Sequence, residues 1–252
     1  MVNHRRGAIG TPGDPTFGVW VKLATLETVE VIAYVGFDFI VIDMEHSPLD
    51  FQSAYASLVV AQGAGLSVLA RVPDQSGSHV QRLVDAGFDG ILVPQVSTAE
   101  QAASCIQPMV FAPAGSRGMG VTSRAGKWGM RSNAEYLSRG RDIIRGVQIE
   151  SRGGLAESEA ILSTFGLNAV LIGMADLALS SGLAPDDPGL VAQIRRVLDI
   201  ALAKGIPCGT AVSTPDEAAK RASDGYSFVL VGNDIGIFAS ALRGVMSQLR
   251  DW

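Results

Sequence analysis

Short apolar runs alternate along the chain with longer amphipathic segments. Eight of the runs are rich in β-branched residues and apolar at both odd and even positions, which is typical of strands buried on both faces. They occupy residues 17–23, 37–43, 67–72, 90–96, 146–150, 169–173, 207–212 and 228–232. Apolar residues recur at helical spacing between them, in 49–64, 80–86, 98–111, 155–165, 190–204 and 215–223. Strand alternating with helix predicts parallel βαβ units.

Glycine-containing turns separate the predicted helices from the strands that follow them. Gly36, Gly87, Gly166 and Gly205 stand at such junctions, where glycine commonly ends a helix. Because eight units follow one another without a linker-like segment, we expect a single α/β domain over residues 1–252, a (β/α)8 TIM barrel. An open doubly wound sheet is the alternative, but the chain carries no glycine-rich nucleotide fingerprint.

One long insertion, residues 113–145, separates the fourth and fifth predicted strands. It is rich in glycine, serine and arginine, and we expect an active-site loop followed by a helix near residues 134–144. Arg117, Arg124 and Trp128 lie in this segment. Such a loop could bind substrate or pack on a neighbouring subunit, and the sequence leaves both possibilities open.

Composition excludes several other classes of protein. The chain has 252 residues, 47% of them apolar and 18% charged, which suits a large core and excludes disorder and disulfide-rich miniproteins. A net charge of -5 argues against binding to nucleic acid or to anionic membranes. No apolar run reaches the roughly 20 residues of a membrane span, and no signal peptide is visible. We therefore expect a soluble cytoplasmic protein, with Cys105 and Cys208 as buried apolar residues.

Two carboxylates follow predicted strands at the end of the barrel where such folds carry their chemistry. Glu150 ends the fifth strand and Asp176 follows the sixth. Their convergence at the barrel mouth would form an oxygen-rich site suited to Mg²⁺ or Mn²⁺. In the alternative, Glu150 pairs with Arg152 and Asp176 caps a helix, but that leaves Gln148, on the same strand face as Glu150, unexplained.

Groups suited to proton transfer and anion binding end the second and third predicted strands. His46 follows Asp43 and Glu45, and a carboxylate there could orient its imidazole for general acid–base catalysis. Arg71 ends an apolar strand, so its guanidinium needs an anionic partner, either a ligand or an internal group such as Asp85. Because Asp85 stands near a predicted helix C-terminus, where the dipole disfavours a carboxylate, we expect a compensating partner, which Arg71 or His46 could supply.

In order and spacing, these motifs resemble the HpcH/HpaI aldolase family. The resemblance covers nearly the whole chain. It rests on Gly18-Val19-Trp20, Asp43-x-Glu45-His46, Arg71-Val72-Pro73, Asp85-Ala86-Gly87, Pro113-Ala114-Gly115-x-Arg117-Gly118, Gln148-Ile149-Glu150 and Gly173-x-Ala175-Asp176.

The resemblance implies a class II aldolase, which releases pyruvate from a 4-hydroxy-2-oxo acid in a reversible retro-aldol cleavage. It implies a homo-hexamer, a trimer of dimers with an exchanged C-terminal helix, and a role in aromatic compound catabolism. It implies that Glu150 and Asp176 bind Mg²⁺, Mn²⁺ or Co²⁺, that Arg71 lies beside the enolate oxygen, and that His46 and Asp43 form the acid–base pair. It also implies that Asp85 supports His46 or Arg71 across the site. The substrate pocket it implies contains Trp20, Arg71, Gln148, Gly173, Ala175 and Asp176.

Three residues depart from the family pattern and bear on the substrate range: Lys22, Ala112 and Ala178. Lys22 also leaves open a Schiff-base aldolase, in which a lysine amine is the nucleophile. An oxaloacetate decarboxylase using the same site and a non-catalytic binding barrel are further alternatives. Segment 237–249 has apolar residues at helical spacing and could pack on its own barrel or on a partner's.

Overall fold

Eight parallel strands close into a barrel in the computed structural model, which describes residues 9–11 and 13–250. Each strand pairs with the next in chain order and the eighth pairs with the first. The strands are β1 (Thr16–Val21), β2 (Phe39–Asp43), β3 (Ser67–Arg71), β4 (Gly90–Val93), β5 (Ile144–Ile149), β6 (Ala169–Ile172), β7 (Cys208–Val212) and β8 (Phe228–Asn233). The predicted (β/α)8 fold is therefore confirmed.

Helices follow the strands around the outside of the barrel. They are α1 (Leu26–Val35), α2 (Phe51–Gly63), α3 (Gly77–Ala86), α4 (Ala99–Ile106), α5 (Asn133–Arg141), α6 (Arg152–Ala156), α7 (Ser158–Ile161), α8 (Met174–Ser181), α9 (Pro188–Ala203), α10 (Pro215–Ser223) and α11 (Asp234–Arg250). Short 3₁₀ helices lie at Gln107–Met109 and Arg124–Gly129. No helix in the described part of the chain is long and apolar enough to cross a membrane.

The strand side chains fill two separate apolar layers. Residues of one parity pack between strands and helices, as Val19, Ile40 and Val68 do. Residues of the other parity fill the barrel interior, among them Trp20, Phe39, Val41, Leu69, Leu92, Leu171 and Leu230. This inward parity continues to Asp43, Arg71 and Gln148, so the interior changes from apolar to polar at the C-terminal ends of the strands.

Several element bounds differ from the predicted ones. The helix predicted at 98–111 stops at Ile106, because Pro108 lacks an N–H and the chain continues as a 3₁₀ turn. The helix predicted at 155–165 is two short helices, α6 and α7. Strand β1 ends at Val21, so Lys22 lies just beyond a strand rather than within it.

The insertion between β4 and β5, predicted to form an active-site loop, does not lie at the C-terminal ends of the strands. It lies at the opposite end of the barrel. It follows helix α4 and leads into β5, so it lies at the N-terminal ends of the strands. There Arg124 Nη1 donates to Gln62 Oε1 at 2.8 Å and to the Ala86 carbonyl at 3.2 Å. The expected active-site loop is therefore wrong for the chain's own barrel, whereas the helix expected near residues 134–144 is α5.

Helix α11 is almost entirely exposed. Only Asp234, its first residue, is buried. Its exposed apolar residues are Ile235, Ile237, Phe238, Leu242, Val245, Met246 and Leu249. The helix predicted at 237–249 is thus present, and most of its apolar surface does not pack on its own barrel.

Candidate active site

Charged side chains from four strand ends meet at the C-terminal mouth of the barrel. Asp43 ends β2 and Arg71 ends β3, while Glu150 directly follows β5 and Asp176 lies in the first turn of α8, after β6. All four were predicted as site residues, and the parallel barrel brings their strand ends to one edge.

Arg71 contacts two carboxylates and an aromatic ring at the mouth. Its Nε and Nη2 donate to Oδ1 and Oδ2 of Asp43 at 2.9 and 2.7 Å, and its Nη1 forms an ion pair with Glu45 Oε2 at 3.0 Å. The guanidinium lies over the Trp20 ring, 4.3 Å from its centre. The internal partners of Arg71 are therefore Asp43 and Glu45, and the suggested pair with Asp85 is wrong.

Asp43 is fully buried and its carboxylate is saturated with donors. Beyond Arg71, it accepts the backbone N–H groups of Glu45 and His46, each at 3.1 Å, and lies 3.1 Å from Lys22 Nζ. Burial opposes ionisation of Asp43, but the hydrogen bonds and charge of Arg71 outweigh it and lower the pKa of this carboxyl. Asp43 is thus a fixed anion that organises the mouth.

The His46 imidazole is not held by Asp43, although the two were expected to form an acid–base pair. Asp43 binds the backbone N–H of His46, and the ring is 56% exposed. Its Nε2 lies 3.7 Å from Glu45 Oε2, too far for a hydrogen bond. The ring is therefore at the mouth and open to solvent, and the nearest carboxylate is that of Glu45.

Gln95 links the two acidic parts of the mouth and was not among the predicted residues. Its backbone N–H donates to Glu150 Oε1 at 2.6 Å and its Nε2 donates to Glu45 Oε1 at 2.9 Å. Its φ of 59° is in the left-handed region, which is uncommon for a residue other than glycine. Gln75 Nε2 donates to the Gln95 carbonyl at 2.9 Å and helps to hold this backbone. The only sequence signal was a polar residue inside an otherwise apolar run.

Glu150 is buried among groups that disfavour its charge. Burial, together with the neighbouring carboxylates Glu45 and Asp176, raises the pKa of Glu150 to about 7 against the opposing effects of the Gln95 N–H and Arg71. Its Oε2 accepts a hydrogen bond from Gln148 Nε2. Among the ion pairs of the described residues, none joins Glu150 to Arg152. A carboxylate surrounded by other carboxylates is one that a cation would stabilise.

The donor groups around Glu150 fit a divalent cation. Gln148 Oε1 is buried and has no hydrogen-bond partner among the described residues. Asp176 is exposed at the mouth, and the first turn of α8 has no side-chain cap. A Cβ on Gly173 would lie 2.8 Å from Glu150 Cβ, so the backbone approaches closely here. The described residues contain no group of three or more His, Cys, Asp or Glu arranged to hold a metal. The ligands available here are the carboxylates of Glu150 and Asp176 and the amide oxygen of Gln148.

Asp85 lies apart from the other predicted site residues. It is near the C-terminal end of α3, where it accepts from Tyr136 Oη at 3.3 Å and from Arg117 Nη2 at 3.4 Å. The predicted compensation by Arg71 or His46 is therefore wrong. Arg117, from the insertion, supplies the charge at the opposite end of the barrel.

The fold and the position of this polar cluster are those of a (β/α)8-barrel enzyme with its site at the C-terminal ends of the strands. The family model described as HpcH/HpaI aldolase/citrate lyase matches residues 16–241. The chain belongs to this family.

Two relatives are named as aldolases. The chain is 33% identical over 229 residues to the 5-keto-4-deoxy-D-glucarate aldolase of Citrobacter koseri, covering 90% of this chain and 88% of the relative. It is 31% identical over 242 residues to the hydroxypyruvate/pyruvate aldolase of Chromohalobacter salexigens, covering 94% of each. A crystal structure of an HpcH/HpaI aldolase/citrate lyase family protein from Burkholderia cenocepacia superposes with a TM-score of 0.87 at 30% identity, covering 94% of this chain and 95% of that one.

Proposed function

We propose that this protein is a divalent-metal-dependent aldolase that reversibly cleaves a 4-hydroxy-2-oxo acid into pyruvate, or a related 2-oxo acid, and an aldehyde. The proposal rests on the arrangement of charged side chains at the C-terminal mouth of the barrel. Glu150 and Asp176 stand beside an arginine, Arg71, that has donors to spare. The names of the aldolase relatives support the reaction class.

In this proposal, Glu150 and Asp176 hold Mg²⁺, Mn²⁺ or Co²⁺, near the unpartnered amide oxygen of Gln148. Bound there, a divalent cation would supply Lewis acidity to the 2-oxo group of the substrate. Gly173 keeps the backbone close to the carboxylates. The uncapped N–H groups at Ala175 and Asp176 suit the substrate carboxylate.

Arg71 stabilises negative charge on the substrate oxygen. Three of its five N–H groups bind Asp43 and Glu45, so two remain for a ligand. Trp20 packs against one face of the guanidinium and Asp43 fixes its edge. The guanidinium is therefore rigid before substrate binds, which favours stabilisation of charge that develops during the reaction.

His46 is the proposed acid–base group. Its ring is exposed at the mouth, while its backbone is held by Asp43. It moves the proton at C3 of pyruvate, or at the 4-hydroxyl of the aldol in the cleavage direction. Asp43 is proposed as a positioning anion, because both of its carboxylate oxygens already accept hydrogen bonds from neighbouring donors.

The test is exchange of the C3 protons of pyruvate in deuterated water with Mn²⁺, followed by NMR. We expect exchange in the wild type, and loss of at least about 100-fold in Glu150→Ala, because an interaction made during charge development is worth several kcal/mol. The matched control is Glu159→Ala, an exposed glutamate that lies 4.0 Å from Arg196. No exchange in the wild type, or full exchange in Glu150→Ala, would contradict the proposal and favour a non-catalytic barrel.

The Schiff-base alternative places the nucleophile at Lys22. Against it, Lys22 Nζ forms an ion pair with Asp43 Oδ2 at 3.1 Å, and a nucleophilic amine would have to break this contact to attack a carbonyl carbon. Exchange that survives EDTA, together with borohydride trapping of pyruvate on Lys22, would establish that alternative.

Oxaloacetate decarboxylation needs the same groups, and comparing its rate with that of aldol cleavage tells which is the main activity.

We also propose that the protein assembles with further copies of itself. The support is the exposed apolar surface of α11, together with the exposed Val31, Tyr34 and Val35 of α1. The hexamer and the exchanged helix are the form that the family resemblance implies. The single domain over residues 1–252, the cytoplasmic location and the role in aromatic compound catabolism stay predictions.

A further inference from the structure

Gln95 lies between strand β4 and helix α4, in a backbone conformation that residues with a side chain rarely adopt. Strand β4 ends at Val93, and Gln95 follows Pro94 with a φ of 59°. Left-handed backbone at a residue other than glycine costs free energy and persists only where the surrounding structure holds it. Neighbouring groups therefore have to stabilise this turn at the mouth.

Contacts from the β3 side and from β5 hold the turn. The Gln75 side chain, in the loop after β3, donates through Nε2 to the Gln95 carbonyl at 2.9 Å and to the Pro94 carbonyl at 3.3 Å. On the other side, the Val96 N–H donates to the carbonyl of Gln148 in β5 at 3.2 Å. None of these bonds uses the Gln95 side chain, so the backbone is held independently of it.

The turn directs the Gln95 N–H towards the proposed metal carboxylate. This N–H donates to Glu150 Oε1 at 2.6 Å, and Gln148 Nε2 donates to the other oxygen. An ionised carboxylate has about four lone pairs, so each oxygen keeps one for a cation. Because both oxygens accept a hydrogen bond, the orientation of the carboxylate is set before a cation binds.

The Gln95 side chain makes a separate contact. Its Nε2 donates to Glu45 Oε1 at 2.9 Å, while Glu45 Oε2 forms the ion pair with Arg71. The side chain is exposed, and the backbone bond to Glu150 does not depend on its chemistry. Substitutions at this position can therefore separate the backbone contact from the side-chain contact.

We propose that Gln95 is a positioning residue whose left-handed backbone orients Glu150 for the divalent cation. The inference rests on the proposed aldolase function and adds to its metal site a residue that acts through a ligand. It assigns this role to the main-chain N–H and not to the side-chain amide. Removing a group that orients a metal ligand typically weakens metal binding by about 10–100-fold.

The test measures the dissociation constant of Mn²⁺ by electron paramagnetic resonance, which needs neither substrate nor turnover. Gln95→Gly keeps the N–H and adopts a positive φ readily, so we expect its affinity to stay within about threefold of the wild type. Gln95→Val has a β-branched side chain that disfavours the left-handed conformation, so we expect binding at least about tenfold weaker. Gln75→Met removes the donors that hold the turn and should weaken binding in the same direction.

The matched control is Lys127→Val. Lys127 is exposed, has a φ of 50° and lies in the insertion at the opposite end of the barrel. The same β-branched side chain is then forced on a left-handed residue far from the mouth, so Mn²⁺ binding should not change. Thermal unfolding reports the stability that each variant loses. If Gln95→Val does not fold, Gln75→Met decides, and unchanged affinity in that variant would overturn the proposal.

Weaker binding in Gln95→Val and Gln75→Met, with affinity retained in Gln95→Gly and Lys127→Val, supports the proposal. Equal losses in Gln95→Gly and Gln95→Val would overturn it and assign the effect to the side chain. Unchanged affinity in every variant would overturn it as well, and so would equal losses in Lys127→Val and Gln95→Val. A wild type that binds no Mn²⁺, or binding that survives Glu150→Ala, would contradict the proposed metal-dependent function itself.

Discussion

Burial and the neighbouring carboxylates Glu45 and Asp176 disfavour the charged form of Glu150. With a pKa raised to about 7, much of this carboxyl is protonated below neutrality. A proton and a metal compete for it, so we expect Mn²⁺ to bind the metal-free protein about tenfold more weakly at pH 6 than at pH 8. Isothermal titration calorimetry at the two pH values measures this ratio. A pH-independent dissociation constant would show that Glu150 is not a ligand.

The same carboxyl makes the metal-free protein less stable as the pH rises. The folded state holds the Glu150 proton more tightly than the unfolded state does, with a pKa of about 7 against 4.5. Stability is therefore lost as the pH rises from about 4.5 through about 7. We expect Glu150→Gln to remove this loss and to gain on the order of 1–3 kcal/mol over the wild type between pH 5 and pH 8. Urea unfolding at both pH values tests it, and parallel pH profiles for the two proteins would contradict it.

Residue types that interrupt an apolar strand could be found from the sequence, but their partners could not. Arg71, Asp43 and Glu150 stood out because a core rejects charge. The pairing of Arg71 with Asp43 depends on β2–β3 register, which only the folded barrel sets. Gln95 acts through a left-handed backbone that no residue pattern signalled.

At the scale of elements, the insertion is held to the N-terminal end of the barrel by a buried arginine. The Arg117 side chain is 1% exposed, donates to Tyr136 Oη at 3.1 Å and lies 4.3 Å from the centre of the Phe111 ring. Its ion pair with Asp85 is 3.4 Å long. We expect Arg117→Ala to lower the free energy of unfolding by about 2–4 kcal/mol, because the partly buried Asp85 carboxylate and the buried Tyr136 hydroxyl lose their partner.

Chemical denaturation measures that loss, and the reference is Arg139→Ala in helix α5. Arg139 is exposed and forms no ion pair with another described residue. We expect the reference to change stability by less than about 0.5 kcal/mol, as surface substitutions do. Equal effects of the two substitutions would mean that the insertion is not anchored by Arg117.

The order of elements contained more information about the insertion than its composition did. A helix was predicted at 98–111, immediately before the insertion, and a segment that follows a helix in a βα barrel lies at the N-terminal ends of the strands. Glycine and arginine content suggested an active-site loop instead, because loops that bind ligands have a similar composition. The split of 155–165 into α6 and α7 had no comparable signal.

At the scale of the whole molecule, the barrel could be predicted from the sequence. Few folds other than a (β/α)8 barrel accommodate eight strands that are apolar on both faces and alternate with helices. The surroundings of α11 could not, because apolar helical spacing is the same whether a helix packs on its own barrel or on another copy. The structure shows that its residues after Asp234 are not buried in the chain's own fold. Packing against further copies of the chain would cover these residues, which the described part of the chain leaves exposed.

The final prediction tests whether that assembly exists. Phe238 and Leu242 lie one helical turn apart on the apolar face of α11 and are more than half exposed. Burying one such side chain is worth about 1.5–3 kcal/mol, so Phe238→Glu with Leu242→Glu should weaken association by at least about a hundredfold. We expect the wild type to sediment as an oligomer and the double variant as a monomer. Ser240→Glu with Ser247→Glu adds the same charge on the opposite face and should leave the oligomer intact. A monomeric wild type, or an oligomer that survives the first pair of substitutions, would show that α11 does not mediate assembly.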